Sequence, residues 1–396
     1  MAHVNLQQAS GPNPPVFVHQ MTLTSALGAG MAATQRALQA GVSGLCGEPW
    51  PDCDVPCYLG VVDLPDMHID AAYESRNNRL LEHALAQDDF VTTVKGSIEQ
   101  HGAHRVGVVM GTSTSSIDRT EAAYRELHDD GMLAKQFLQP RVHNPHAPGD
   151  YLAQRLGITG PTLTVSAACA SSAKVFAVAQ RWLQQDLVDT VLVGGADTLC
   201  LSVIYGFHSL QLVSPEPCRP FAPDRTGISL GEAAGFALLS REPGAIQLLG
   251  VGESCDAHHM SSAHPEGLGA RLSMQRALAA AGVGMDDVGY VNLHGTGTRA
   301  NDDTEGQVCA DFADGGTLFS ATKGWTGHTL GAAGIVECVL AVNTLLSGLL
   351  PGTMNTREAQ PGLSLELESR EVDIRVAMSN SFGFGGNNCS ALFGRT

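Results

Sequence analysis

The hydrophobic pattern of this chain alternates between short β-branched runs and longer segments in which apolar and small residues recur at helical spacing. Runs such as VGVVMG (106–111) and VDTVLVGG (188–195) are typical of buried strands. Segments such as SSAKVFAVAQRWL (171–183) are typical of helices. This alternation predicts an α/β fold in which helices cover a parallel or mixed sheet.

The same order of segments occurs twice along the chain, which indicates an internal duplication. Two pairs of segments carry the repeat: VGVVMGTSTSS (106–116) with VGYVNLHGTGT (288–298), and TLTVSAACASSAKVFAVAQRWL (162–183) with TLFSATKGWTGHTLGAAGIVECVLAVNTL (317–345). Each half then closes with a pair of strands. Small residues in AACASSA and GHTLGAAG predict that two central helices pack back to back between two sheets. We therefore predict a duplicated fold of αβαβα layers.

Two domains follow from this repeat. The N-terminal half covers residues 1–245 and the C-terminal half covers residues 246–396. The first half is longer because of an extra stretch at about 40–150, which is rich in Pro, His and charged residues. We interpret this stretch as a cap and dimer-forming insertion.

Composition and charge narrow the class of protein. The chain has 396 residues, 43% of them hydrophobic, and a formal net charge of -17, which argues against nucleic acid and anionic membranes as partners. The N-terminus lacks a basic segment followed by an apolar one, and no uninterrupted apolar run is long enough to span a bilayer, so we expect a cytoplasmic protein. The ten cysteines are scattered, and Cys46, Cys53 and Cys57 match no common zinc spacing, so we predict reduced thiols and no bound metal.

Candidate chemistry lies where predicted strands end. Cys169 comes between a strand and a helix, where free N–H groups of the first helical turn would favour its thiolate. In the second half, the motifs HGTGT (294–298) and KGWTGH (323–328) place His294 and His328 at corresponding strand ends. One cysteine and two histidines at converging strand ends predict a catalytic site built on a cysteine nucleophile.

The order of these motifs resembles that of the elongating β-ketoacyl-acyl-carrier-protein synthases of the thiolase superfamily. That family has a Cys in a small-residue turn, a His in a His-Gly-Thr-x-Thr loop, and a Lys five residues before a second His. Here these residues are Cys169, His294, Lys323 and His328, and NSFGFGGNN (380–388) resembles the glycine-rich closing loop of the family. The resemblance covers nearly the whole chain, is weakest before residue 15 and in 40–150, and implies a thiolase-like fold.

The resemblance also implies an acyltransferase mechanism. Cys169 would take the acyl chain from a carrier thioester, with an oxyanion hole formed by the backbone N–H groups of Cys169 and Phe384. His294 and His328, as neutral donors, would stabilise the enolate that forms when malonyl-carrier loses carbon dioxide. Lys323 and Glu305 would form a buried ion pair that orients the histidines.

Further residues are implied to bind the substrates, which are carried on the phosphopantetheine arm of acyl carrier protein rather than on a cofactor of the enzyme. Thr296 and Thr298 would hydrogen-bond the amide groups of that arm. Phe384 would gate the acyl pocket, and Phe207 would line it. Thr114 would reach across a dimer to the floor of the partner's acyl pocket.

The acidic carrier needs a basic surface on an enzyme that is itself acidic. Arg76 and Arg79 stand three residues apart on a predicted helix and resemble the helix with which the family docks its carrier. The partner in the dimer is an identical chain or a second ketosynthase-like subunit. RNNRLLEHAL (76–85), NDDTE (301–305) and FGGNN (384–388) resemble ketosynthases of bacterial aryl-polyene clusters.

Several alternatives remain open from the sequence. A malonyl-carrier decarboxylase or a chain-length-factor subunit shares this fold, although the latter would lack the nucleophile that Cys169 supplies. A thiolase would place a second cysteine in the closing loop, where only Cys389 lies nearby, and an initiating synthase would replace one His by Asn. A metal-binding or scaffold protein would use DAHHMSSAHPEG, with His258, His259 and His264.

Overall fold

The computed structural model describes residues 14–313, 315–360 and 362–396. The strands in chain order are β1 (Val16–Ser25), β2 (Gly28–Ala29), β3 (Leu45–Cys46), β4 (Leu59–Gly60), β5 (Val106–Gly111), β6 (Thr162–Val165), β7 (Thr190–Asp197), β8 (Leu230–Gly231), β9 (Ala233–Ser240), β10 (Ile246–Cys255), β11 (Tyr290–Leu293), β12 (Leu318–Ala321), β13 (Leu349–Leu350), β14 (Arg370–Glu371), β15 (Val376–Gly383) and β16 (Asn387–Arg395). The α-helices are α1 (Gly30–Ala40), α2 (Arg76–Leu85), α3 (Phe90–His101), α4 (Ile117–Arg125), α5 (Ala147–Leu156), α6 (Ser171–Gln184), α7 (Leu201–Ser209), α8 (Leu268–Ala281), α9 (Arg299–Phe312), α10 (Lys323–Thr326) and α11 (Ala333–Ser347).

The central sheet has the symmetry that a duplication requires. Its strand order is β12-β11-β15-β16-β10-β1-β9-β7-β5-β6, so each half contributes five strands in the same relative order. In each half three parallel strands are followed by an antiparallel pair, and β1 joins β10 through three residue pairs. The duplicated, thiolase-like layered fold predicted from the sequence is therefore confirmed, with the two five-stranded halves joined into one sheet rather than two.

The two central helices, α6 and α11, pack against each other between the layers. The contact is close because the residues are small: a Cβ atom on Gly334 would lie 2.3 Å from the backbone nitrogen of Ala173. The backbone N–H of Ile335 donates to Oγ of Ser172 at 2.9 Å, which joins the helices without a bulky side chain. This packing places the N-terminal ends of both helices against each other in the interior of the protein.

One helical segment of the described residues, Leu330–Ser347, is long and apolar enough to cross a membrane by length and composition. It is 89% buried inside the protein, because it contains the central helix α11. Its apolar side chains therefore belong to the hydrophobic core, in which residues such as Ile335 and Val339 are fully buried.

The stretch at 40–150 is not wholly an insertion, because β5 lies inside it and pairs with β6 and β7 in the central sheet. The helices α2, α3 and α5 cover one face of this half of the sheet through a separate cluster of buried residues, which includes Leu80, Phe90 and Leu152. The interpretation of 40–150 as a cap is thus wrong for β5, whose sequence, VGVVMG, belongs to the repeat.

Candidate active site

Three strand ends position the candidate nucleophile and the two histidines. Cys169 follows β6 and precedes α6, His294 directly follows β11, and His328 comes after β12 and α10. The turn before the thiol is tight, since Ala168 has a left-handed backbone (φ 48°). The hydroxyl of Ser171 holds this turn by donating to the carbonyl of Ala168 and accepting from the N–H of Ala167 at 2.8 Å. The left-handed backbone of Ala168, which is unfavourable for alanine, thus places Cys169 just before the N-terminus of α6.

The three side chains meet in one buried cluster. The thiol of Cys169 and one ring nitrogen each of His294 and His328 all lie within 4.8 Å of one another. The two imidazole rings are perpendicular, with their centres 5.4 Å apart. Cys169 is 6% exposed, and both histidines are 1–2% exposed. The structure therefore brings together the three predicted residues, one from the first half of the chain and two from the second.

Lys323 determines which nitrogen of His294 carries the proton. Its ammonium lies 3.1 Å from Nδ1 of His294, donates to the carbonyl of the same residue and forms an ion pair with Glu337. Because an ammonium only donates, Nδ1 must accept, and the proton of the neutral ring lies on Nε2. Lys323 is 1% exposed, so this contact is shielded from water.

A backbone N–H group fixes the same tautomer in His328. Its Nδ1 accepts from the N–H of Leu330 at 3.1 Å, which leaves the ring proton on Nε2. Burial, followed by the charge of Lys323, holds the pKa of both histidines well below the ordinary value, and His328 lowers that of His294 further. Both imidazoles are therefore neutral near pH 7, each with one N–H donor left for the cavity.

The thiol of Cys169 is less acidic than the sequence suggested. Burial raises its pKa to about 11, although the charge of Lys323 and hydrogen bonds from the N–H groups of Phe384 and Cys169 act in the opposite direction. The expectation of a thiolate favoured by the helix N-terminus is thus wrong for the free protein, because burial outweighs the local dipoles. Both N–H groups are near the sulfur, and the oxyanion hole that they would form for the acyl carbonyl stays a prediction.

The predicted ion pair between Lys323 and Glu305 is wrong, because Lys323 pairs with Glu337 of α11. Glu305 instead accepts from the backbone N–H groups of His294 at 2.8 Å and Gly295 at 2.9 Å. It acts on the loop that carries His294 rather than on Lys323. Sequence reasoning missed Glu337, whose signal was a single carboxylate in the apolar run GIVECVLAV of a buried helix.

Two further residues of α9 hold the same loop and were missed as functional groups. Asp302, fully buried, accepts from the N–H groups of Thr296 and Gly297 at 3.0 and 3.2 Å. The amide of Asn301 donates to Asp302 at 3.0 Å and to Glu305 at 3.2 Å. Asn301 also lines the cavity beside Cys169. The two carboxylates and one amide form a clamp under the HGTGT turn.

The cavity beside Cys169 is lined by both apolar and polar side chains, including both predicted threonines. Phe207 of α7 and Phe384 of the closing loop stack with their ring centres 5.6 Å apart and line this cavity. Thr296 and Thr298 line it as well, with their hydroxyl oxygens 2.9 Å apart. The four residues thus occupy positions suited to the acyl chain and its amide-bearing arm, and their roles stay predictions.

Thr114 lies outside this cavity within one chain. Its N–H and hydroxyl donate to Asp197 at 3.1 and 2.8 Å. Its predicted contact with a partner's acyl pocket stays a prediction.

Arg76 does not serve as a free docking cation. Its guanidinium forms an ion pair with the fully buried Glu232 and donates to the carbonyl of Val62 at 3.0 Å. The docking prediction is therefore wrong for Arg76, whose charge is used inside the fold. Arg79 contacts Glu74 at 2.6 Å and Asp66 at 3.9 Å, and its docking role stays a prediction.

Among the described residues, the one group of three or more side chains placed to share a metal ion is Cys169 with His294 and His328. Thiol and imidazole groups are ligands that zinc accepts, but the ammonium of Lys323 at Nδ1 of His294 is repelled by a cation in this position. His258 and His264 contact each other with ring centres 5.0 Å apart and do not belong to that group. All ten cysteines have free thiols.

A buried thiol between two N–H-donating imidazoles, at the strand ends of a duplicated αβαβα fold, defines a thiolase-fold condensing enzyme. The chain matches the Beta-ketoacyl synthase, N-terminal domain, over residues 81–245 and the Beta-ketoacyl synthase, C-terminal domain, over residues 246–357. It belongs to the beta-ketoacyl synthase family. The protein is therefore an acyltransferase-type condensing enzyme that acts with acyl carrier protein in chain elongation.

Individual relatives support the same assignment. Nodulation protein E of Rhizobium sp. (strain N33) is 30% identical over 399 residues, 91% of this chain and 99% of that protein. The 3-oxoacyl-[acyl-carrier-protein] synthase 2 of Vibrio cholerae serotype O1 is 33% identical over 322 residues, 75% of this chain and 78% of that one. A solved structure, the ketosynthase ApeO in complex with its chain length factor ApeC from Xenorhabdus doucetiae, matches with 39% identity and a TM-score of 0.88, covering 98% of this chain and 100% of that one.

Proposed function

We propose that this chain is the catalytic ketosynthase of an aryl-polyene type of pathway, and that Cys169 carries the growing chain. The acyl group passes from its carrier thioester to the sulfur of Cys169, and the carrier thiol leaves with a proton. Malonyl-carrier then loses carbon dioxide, and the resulting enolate attacks the acyl-cysteine carbonyl and expels the sulfur of Cys169. The product is a β-ketoacyl group, longer by two carbons, on the carrier.

The observation that carries this proposal is the pair of neutral imidazoles beside the thiol. Decarboxylation places negative charge on the malonyl thioester oxygen, and two N–H donors that need no reorganisation stabilise it. His294 and His328 each keep a proton on Nε2 because Nδ1 accepts from Lys323 and Leu330, respectively. The N–H groups of Cys169 and Phe384 serve the acyl carbonyl in the same way during transfer.

The pathway part of the proposal is supported by the similarity to the ApeO–ApeC complex. By the same reasoning, we propose that the enzyme works as a dimer with a ketosynthase-like subunit, uses no cofactor of its own and acts in the cytoplasm. Within such a pair this chain would be the catalytic member, because it holds Cys169, His294 and His328 in one cluster.

Mass spectrometry of the peptide that contains Cys169 tests the function after incubation with saturated, polyunsaturated and aryl-polyene acyl-carriers. We expect an acyl adduct on Cys169, formed fastest with the polyunsaturated or aryl chains. Cys255, which is exposed, serves as the matched control, and Cys255→Ala should leave the adduct unchanged. Equal labelling by all chains would contradict the pathway, and absence of any adduct would contradict the mechanism.

Two variants separate the half-reactions. Cys169→Ala should abolish condensation, whereas Cys169→Gln should retain malonyl decarboxylation because its amide resembles the acylated thiol. Condensation by the Ala variant would refute the role of Cys169.

Co-expression with a candidate partner subunit tests the assembly. We expect a one-to-one complex on size exclusion, and we expect Thr114→Phe to shorten the products without slowing decarboxylation. A stable homodimer with the same product lengths as the mixed complex would contradict the assembly.

A further inference from the structure

Asp197, the last residue of β7, is a fully buried carboxylate outside the set of residues that contact the cavity. It accepts hydrogen bonds from seven donors: the hydroxyl of Thr112, the N–H and hydroxyl of Ser113, the N–H and hydroxyl of Thr114, the N–H of Ser115 and the N–H of Gly331. Seven hydrogen bonds to one carboxylate are more than a local turn requires, so Asp197 must also hold something outside the turn.

The donors come from two separate parts of the chain. Six belong to the loop 112–115 of the first half, and the seventh, Gly331, lies three residues after His328 in the second half. The N–H of Gly331 is 2.6 Å from Oδ2 of Asp197 and 3.1 Å from Oγ of Ser113. No side chain fits between them, since a Cβ atom on Gly331 would lie 2.6 Å from Oδ2. Asp197 therefore joins the His328 loop directly to the opposite half of the fold.

Of the two residues between His328 and Gly331, Leu330 has an unfavourable backbone conformation. Leu330 has φ 58°, a left-handed conformation that a leucine adopts only when its surroundings impose it. Its N–H points at Nδ1 of His328, at 3.1 Å, while the next N–H, that of Gly331, is held by Asp197. The bond to Asp197 thus holds the peptide that follows Leu330. It favours the left-handed conformation of Leu330 in which the N–H of this residue points at Nδ1 of His328.

We propose that Asp197 is a positioning residue that keeps the ring proton of His328 on Nε2, by holding the Leu330–Gly331 peptide so that Leu330 N–H faces Nδ1. This inference rests on the decarboxylation chemistry proposed above and does not depend on the pathway. Lys323 fixes the proton of His294 through a side chain, and Asp197 fixes that of His328 through the backbone. The two imidazoles therefore reach the same tautomer by different means.

The test is Asp197→Asn, which keeps the size of the side chain but replaces one acceptor oxygen by a donor. We expect malonyl decarboxylation to fall at least tenfold, while acylation of Cys169 by a small thioester changes less than threefold. Nitrogen-15 NMR of histidine-labelled protein, with His328 assigned by its loss in His328→Gln, should show proton density moving from Nε2 towards Nδ1. A merely structural role would slow both half-reactions alike and leave the tautomer unchanged.

Two further variants keep the result decisive. Ser113→Ala, at an exposed residue, removes the hydroxyl that contacts both Asp197 and Gly331, and we expect the same changes with a two- to fivefold loss of decarboxylation. Glu121→Gln is the matched control, because it alters another carboxylate, half-buried in α4, that accepts two backbone N–H groups, those of Leu201 and Ser202, which lie outside the His328 loop. It should not change the His328 tautomer.

The proposal is overturned if Asp197→Asn retains the wild-type tautomer of His328. If that variant does not fold, an unchanged tautomer in Ser113→Ala overturns it equally. Because the NMR signal does not depend on turnover, a wild-type protein without decarboxylase activity would contradict the proposed function and leave this readout interpretable.

Discussion

Nζ of Lys323 lies 3.1 Å from Nδ1 of His294, while the same ammonium is paired with the buried carboxylate of Glu337. Glu337 holds the cation in place, the cation holds the ring, and the ring offers its remaining N–H to the cavity beside Cys169. Three strands and a central helix contribute to this arrangement, so its precision depends on the packing of the whole core.

The first prediction concerns Lys323→Met, which removes the donor to Nδ1 of His294 and leaves Glu337 without its cation. Loss of one oriented N–H donor typically costs about a hundredfold in rate. We therefore expect malonyl decarboxylation, measured as carbon dioxide release, to fall by about that factor. The matched control is Lys174→Met, since Lys174 pairs with Glu253 at 3.3 Å away from the cavity, and it should stay within about twofold of wild type. Full activity of Lys323→Met would contradict the role assigned to this contact.

A second prediction follows from the raised pKa of Cys169, which is about 11 because of burial. The thiol is protonated at neutral pH, so alkylation by iodoacetamide should be slow at pH 7 and should accelerate about tenfold per pH unit up to pH 9. Mass spectrometry of the Cys169 peptide gives the rate, with the exposed Cys255 peptide as internal reference. A rate at Cys169 that does not change between pH 7 and pH 9 would show that the thiolate already exists.

The third prediction separates the two arginines of α2. Arg76 is paired with a carboxylate that is 0% exposed, whereas Arg79 contacts partly and fully exposed acidic groups. Removing one partner of a buried pair costs roughly 3–5 kcal/mol, and removing a surface pair costs about 0–1 kcal/mol. Urea unfolding should thus show a large loss for Arg76→Ala and a small one for Arg79→Ala. Equal losses would contradict the structural role of Arg76, and a loss of carrier binding in Arg79→Ala alone would support docking at Arg79.

The fourth prediction uses the pH dependence of stability. Burial raises the pKa of Glu305 from 4.5 to about 7, against the N–H groups of Gly295 and His294, which lower it. Between these two values the unfolded state has lost the proton that the native state keeps, so this group makes the free energy of unfolding fall as pH rises. Glu305→Gln should remove up to about 1.4 kcal/mol per pH unit from that slope between pH 5 and pH 7.

Urea unfolding at pH 5, 6 and 7 measures this slope. Glu48→Gln, at an exposed position, is the control and should leave the slope as it is in the wild type. An unchanged slope in Glu305→Gln would mean that Glu305 is ionised in the native protein throughout this range.

The fold and the reacting groups were predictable because their signals are local or repeated along the chain. The two copies of the strand, turn and helix pattern specify the same strand order in each half. The small residues around Ala173 and Gly334 predict the close contact between α6 and α11. His294 directly follows β11, and Cys169 and His328 come a few residues after β6 and β12, so each reacting group lies at the C-terminal end of a strand of its own half.

What supports those groups was decided by the tertiary structure alone. Glu305 and Glu337 are both near Lys323 in sequence, and only the packing of α11 against the strands selects Glu337 as its partner. In the same way, the sequence predicts a surface position for Arg76, but the fold brings its guanidinium to Glu232. Asp197 belongs to none of the sequence motifs that predicted the site. The sequence by itself determined which chemistry the protein contains, because a motif keeps its residues together along the chain. The partners of buried charges come from distant segments, since each charge removed from water must be matched by whatever groups the folded chain places beside it.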